Sequence, residues 1–226
     1  HHTVGEQAAA ALDDARRRVA RVLGVRPGDI VFTSGGTEAN NLAIKGIALA
    51  ALQNSGARHV ITSPIEHESV LASVDYLRRL HGFEVTVLPV DTDGVIDPGD
   101  LAGAVRPDTA VVSIGLANNE IGTVQDAAAL ADARGSARLH LDAVQAAGWL
   151  RLSGLGADAL TLAGHKLGAP KGIGVAMIRG RIPLEPVIHG GGQQRDRRSG
   201  TENVAGAVGF AVALELAEAE REEAAA

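Results

Sequence analysis

Apolar residues along this chain switch repeatedly between a helical and an extended period, and the switches mark out an alternating series of elements. Over residues 5–23 they recur at helical spacing with charges between them, which predicts a helix; residues 29–33 read as a short strand and 37–52 as a second helix. Further strands are predicted at 58–62, 83–88, 109–114, 137–141 and 159–163, with helices at 68–80, 98–105, 127–133 and 203–222. Residues 174–178 add a seventh strand directly after the sixth with no helix between, which admits an antiparallel member. The rhythm specifies an α/β fold: a three-layer α/β/α arrangement around a mostly parallel, seven-stranded sheet covered on both faces. No linker interrupts it, so one large domain is expected. The Ala-rich, acidic end reads as a fraying helix.

Composition narrows the function classes. With 226 residues, 46% of them hydrophobic, the chain can bury one substantial core; only 2% are aromatic, so Val, Leu, Ile and Ala must fill it. There is no cysteine, which excludes disulfides and thiolate metal sites and fits a reducing, cytoplasmic compartment. A net charge of −6 argues against a nucleic-acid partner. Residues 204–214, the longest apolar run, fall short of the about 20 residues of a membrane span, and the opening residues carry no signal-peptide pattern.

In open parallel sheets, ligands sit outside the carboxyl ends of the strands. Five segments reach that edge: Gly35-Gly36-Thr37, Glu66-His67, Asn118-Asn119, Asp142 and His165-Lys166 each follow a predicted strand. Taken singly, each has an ordinary explanation. The glycine turn could be a helix cap, His67 a capping or core-edge histidine, Asn118-Asn119 a plain turn, Asp142 a cap, and most lysines are solvated. The convergence is the argument for a site. A glycine turn at a helix start can cradle a phosphate, and a lysine can hold a carbonyl cofactor covalently as a Schiff base. An aspartate can keep a pyridinium nitrogen protonated, and a histidine offers a flat face. These are the parts of a pyridoxal 5'-phosphate (PLP) site, with Lys166 expected among apolar neighbours.

The segments 33–46, 66–67, 118–126, 142–145, 164–166, 190–195 and 198–201 together resemble PLP-dependent enzymes of aminotransferase class V, and most closely the NifS/IscS-like cysteine desulfurases. Their order and spacing agree along essentially the whole chain. The resemblance implies that Gly36 and Thr37 hold the PLP phosphate, His67 stacks on the ring and serves in catalysis, and Asn119 binds near the phenolic oxygen and the substrate carboxylate. It implies further that Asp142 pairs with the ring nitrogen, Gln145 donates to the phenolate, and His165 supports the phosphate. Lys166 would carry PLP and move the substrate α-proton. Thr201 would reach the phosphate of the neighbouring subunit's site in a homodimer, which makes the cluster at residues 193–198 more than the solvated loop it resembles on composition. No metal is implied.

The implied activity is conversion of L-cysteine to L-alanine, with sulfur passed to an acceptor thiol for iron–sulfur cluster or thio-cofactor biosynthesis, in company with a scaffold or sulfur-acceptor protein. Two departures stand out. Ala163 occupies a position where relatives often carry a phosphate-binding serine, and the chain lacks the loop cysteine that accepts sulfur. The resemblance therefore implies that residues 1–226 are the PLP-binding large domain, without the family's N-terminal arm and C-terminal small domain, and inactive in sulfur transfer. Another class V enzyme, such as a selenocysteine or cysteine-sulfoxide lyase, would use the same PLP residues, and a non-catalytic PLP-binding fragment is the reading from a different class.

Overall fold

The computed structural model describes residues 2–224, and the expected fraying end continues into residues 225 and 226, outside that range. Seven strands form one sheet: β1 Ile30–Thr33, β2 His59–Thr62, β3 Glu84–Val87, β4 Thr109–Gly115, β5 Arg138–Asp142, β6 Ala159–Ala163 and β7 Gly174–Ile178. Six helices accompany them: α1 Thr3–Leu23, α2 Gly36–Ser55, α3 Glu68–His81, α4 Pro98–Ala104, α5 Ala127–Ala133 and α6 Val204–Ala224. The spatial order is β1-β7-β6-β5-β4-β2-β3. Strands β2 to β6 pair in parallel, and β7 lies antiparallel to both its neighbours. Two reversals restore direction, so β1 points the same way as β6 and its carboxyl end joins the same edge of the sheet.

Alternation within the strands divides the core in two. Leu139, Leu141, Leu160, Leu162, Val175 and Met177 pack with residues of α1, α5 and α6 on one face. Val31, Val60, Val111, Ala159 and Ala176 pack with α2 and α3 on the other. Helix α1 shows how the periodicity is read out: Leu12, Ala15, Val19 and Leu23 are buried at helical spacing, and Gly24 ends the helix in the left-handed conformation at φ 65°. Helix α2 is buried more widely because it lies between the sheet and α3, and Ala39, Leu42, Ala43, Ile44 and Ile47 all face apolar neighbours.

The element ends shift slightly from the predicted ones, and the shifts matter. Strand β5 runs one residue farther, to Asp142, so this carboxylate is held by the sheet ladder instead of a loop. Gly164–Lys166 form a short 3-10 turn that fixes His165 and Lys166 immediately beyond β6. Strand β3 is shorter than predicted, and its Glu84 and Val87 are exposed as befits a sheet edge.

Candidate active site

All five segments converge on one cavity of about 650 Å³ at the carboxyl edge of the sheet. Gly36, Thr37, His67, Asn119, Asp142, Gln145, His165 and Lys166 all line it. Thr201 is exposed and is not among the lining residues.

The first wall is the β1–α2 turn. A Cβ on Gly36 would stand 2.9 Å from Val144 Cγ2 and 3.2 Å from the Ala163 methyl, so only glycine brings the start of α2 this close to β6. Strand β7 supports the turn from behind, where a Cβ on Gly174 would lie 2.6–2.8 Å from Gly35 backbone atoms. The result is an α2 N-terminus open to the cavity, suited to an anion.

Asp142 lies on the floor, buried. Its Oδ1 accepts the Val144 N–H at 3.0 Å and its Oδ2 accepts the Asn40 amide at 2.7 Å. Burial pushes its carboxyl above the usual range, against the downward pull of those two donors and of His67. Glu66 lines the same cavity. Burial raises its carboxyl to about 7, opposed by the Ser63 hydroxyl and the Gly115 N–H and reinforced by Asp142.

His67 is both the cap and the wall. Its Nδ1 accepts the Ser69 N–H at 3.0 Å, closing the first turn of α3, and lies 2.8 Å from Ser69 Oγ. In the neutral ring the proton therefore sits on Nε2. The asparagine pair divides its labour: Asn118 builds the turn, donating to Ile65 O at 3.0 Å and accepting the Glu120 N–H at 2.8 Å, which leaves the exposed Asn119 at the cavity. Lys166 departs from expectation, since it is exposed on its turn instead of shielded by apolar neighbours.

Sequence reading missed three contributors. Asn40, Ser69 and Glu38 line the cavity as well. The signal for Asn40 was available, because it stands one helical turn beyond Gly36 on a helix otherwise rich in apolar residues. Glu38 takes the Ser34 N–H at 2.8 Å and a two-pronged ion pair from Arg198, at 2.7 and 3.1 Å. Burial would raise this carboxyl, but those donors outweigh it and hold it low.

That ion pair is one of several contacts that tie residues 193–198 to the sheet and to α2, so the segment is not the solvated loop its composition resembles. Gln194 is buried and accepts the Phe32 N–H at 3.0 Å and the Arg16 guanidinium at 2.9 Å, capping the open edge of β1. Arg195 donates to the carbonyls of Gly28 and Ile30, and Arg197 to that of Ile178, each at 2.9 Å. These bonds hold Gln194, Arg195 and Asp196 at φ of 50°, 58° and 61°, a left-handed conformation that costs about 1–2 kcal/mol per residue.

An α/β sheet with a glycine turn at a helix N-terminus, a buried carboxylate and a lysine at one strand edge has the parts a PLP enzyme domain requires, and the residues present fit that cofactor. The chain belongs to the aminotransferase class-V family, whose pattern it matches over residues 1–226. It is 45% identical over 220 residues to the cysteine desulfurase IscS of Dictyoglomus turgidum, covering 96% of this chain and 55% of that protein. Among solved structures, a NifS-like protein superposes with a TM-score of 0.94 at 42% identity, over 99% of this chain and 62% of the other. The structure titled "SspA in complex with cysteine" does so with a TM-score of 0.90 at 39% identity, over 95% and 63%. The chain thus spans about half the length of the curated relatives it matches, 55% in the first case.

Proposed function

We propose that this chain is the PLP-binding large domain of a cysteine desulfurase, which converts L-cysteine to L-alanine and passes the sulfur to an acceptor thiol for iron–sulfur or thio-cofactor assembly. The observation that carries the proposal is the meeting of the anion cradle, Asp142 and Lys166 in one cavity, in a chain of this family. When bound, PLP supplies an electron sink for the carbanion left by loss of the substrate α-proton.

The chain's own residues have distinct tasks. Gly36 and Thr37 bind the phosphate at the start of α2, with His165 beside them. Asp142 accepts the ring N–H, and its two existing donors leave lone pairs on both oxygens for that purpose. Gln145 donates to the phenolic oxygen, Asn119 orients the same oxygen and the substrate carboxylate, and His67 covers the ring face with its proton on Nε2. Lys166 Nζ would hold the cofactor and, once the substrate amine had displaced it, would be free as the base that takes the proton from the substrate α-carbon; it stands exposed on its turn. Sulfur transfer requires a thiolate that attacks the substrate sulfur, and with no cysteine among its 226 residues the chain does not provide one. The acceptor thiol lies elsewhere in the working enzyme, which we place in the cytoplasm as a homodimer with Thr201 serving the neighbouring site.

Borohydride reduction of the chain with PLP, followed by peptide mapping, is expected to find the pyridoxyl group on Lys166. A label on Lys45 or Lys171 instead would overturn the site.

A further inference from the structure

Behind Asp142 lies a line of fully buried polar side chains of which only Asn40, as a donor to Asp142, enters the roles above. Strand register creates it: Ser113 pairs with His140 across β4 and β5, and Asp142 pairs with Thr161 across β5 and β6. Ser113 Oγ lies 2.8 Å from His140 Nδ1, His140 Nε2 lies 3.1 Å from Thr161 Oγ1, and Thr161 Oγ1 lies 2.5 Å from Asn40 Oδ1. The other end of the Asn40 amide donates to Asp142 Oδ2 at 2.7 Å and to Ser69 Oγ at 2.9 Å.

The direction of every bond follows from its last member. An ionised carboxylate only accepts, so Asn40 must present its NH₂ to Asp142 and its oxygen to Thr161. Thr161 therefore spends its single proton on Asn40, and His140 must donate to Thr161 from Nε2. That leaves His140 Nδ1 to accept from Ser113. At the far side, Ser69 Oγ accepts from Asn40 and is free to donate to His67 Nδ1, 2.8 Å away.

We propose that Ser113, His140, Thr161 and Asn40 form a one-way hydrogen-bond relay that positions Asp142 as the acceptor for a ring N–H and, through Ser69 Oγ, reinforces the His67 tautomer that the Ser69 N–H already sets. Asn40 and His140 are positioning residues; they act through Asp142 and His67. Successive donors pointing the same way polarise one another and strengthen the final bond to the carboxylate. Burial holds the His140 imidazole neutral, its pKa lowered to about 3, so the relay keeps its direction across the physiological range. The ionisable groups that share the cavity with Asp142 are Glu38, Glu66, His67, Glu120, His165 and Lys166, and none of them belongs to the relay. The inference rests on the PLP reading for the identity of the ring alone.

Nitrogen-15 NMR of the 226-residue chain tests the direction: His140 is expected as a single Nε2–H tautomer, and an Nδ1–H tautomer overturns the relay. Carbon-13 titration of the Asp142 carboxyl tests the coupling. Thr161→Val removes the one hydroxyl that links His140 to Asn40, and the Asp142 midpoint is expected to rise by about one unit, with Thr161→Ser restoring it. A folded Thr161→Val chain with an unmoved Asp142 midpoint overturns the proposal. Both readouts are taken without PLP, so they stand or fall independently of the Lys166 labelling experiment.

Discussion

Two carboxyls of the cavity, Asp142 and Glu66, carry its electrostatics and lead to separate predictions. Asp142→Asn keeps the shape of the floor but replaces a charge-assisted acceptor with a neutral one, a difference of about 1.5–3 kcal/mol. PLP affinity is expected to fall about ten- to a hundredfold, read by absorbance titration; an unchanged affinity would remove Asp142 from its assigned role. Glu66 makes a pH prediction. Its carboxyl titrates near 4.5 in the unfolded chain and near 7 in the fold. Between those values the folded chain keeps a proton that the unfolded chain releases, so Glu66 makes the fold less stable as pH rises through this window, by at most about 3 kcal/mol. Glu66→Gln abolishes that loss. Urea unfolding should find the variant gaining on the wild type between about pH 5 and about pH 7.5, whereas a constant difference would refute the perturbed carboxyl. His140 acts in the opposite sense, costing stability as pH falls from 6.5 toward 3, but it does so in both proteins and cancels.

At the scale of elements, the cradle depends on how closely β7 approaches the β1–α2 turn. Strand β7 runs antiparallel between β1 and β6, and its first residue, Gly174, sits directly behind Gly35. The atoms a new methyl would meet there, at 2.6–2.8 Å, are backbone and cannot swing aside. Gly174→Ala is therefore expected to destabilise the chain by about 2 kcal/mol or more and to weaken PLP binding by displacing the turn. Gly28→Ala, whose methyl would meet nothing within 4 Å, serves as the control with little change. Equal thermal shifts in the two variants would show that the close approach is not what supports the cradle.

For the whole molecule, the segment after β7 is the informative one. Three arginines and Gln194 fasten residues 194–198 to β1, β7 and the start of α2, while Thr201 a few residues on is exposed and outside its own cavity. This geometry supports a threonine presented to a second copy. PLP affinity is then expected to rise with protein concentration as dimers form, and Thr201→Val should reduce it. A monomer in sedimentation that binds PLP at full affinity would defeat the shared site. Among the described residues, no helix is long and apolar enough to cross a membrane.

Among the described residues, the seven strands and six helices all fall where the switches between extended and helical spacing predicted them, even where a strand carries polar residues, as β3 and β5 do. The carboxyl-edge rule then placed Gly36, His67, Asn119, Asp142 and Lys166 together, since that rule depends only on strand direction. The structure alone decided contacts between residues far apart in sequence. Asn40 meets Asp142 across 102 positions, Thr161 meets Asn40 across 121, and Arg198 meets Glu38 across 160. His140 and Thr161 appear in the sequence as lone polar residues within apolar runs, and their contact emerges only when parallel pairing of β5 with β6 places Thr161 opposite Asp142 and diagonal to His140. Local propensity acts over a few residues, whereas these pairings are fixed by sheet order and helix packing, so the elements were legible one by one and the wiring between them was not.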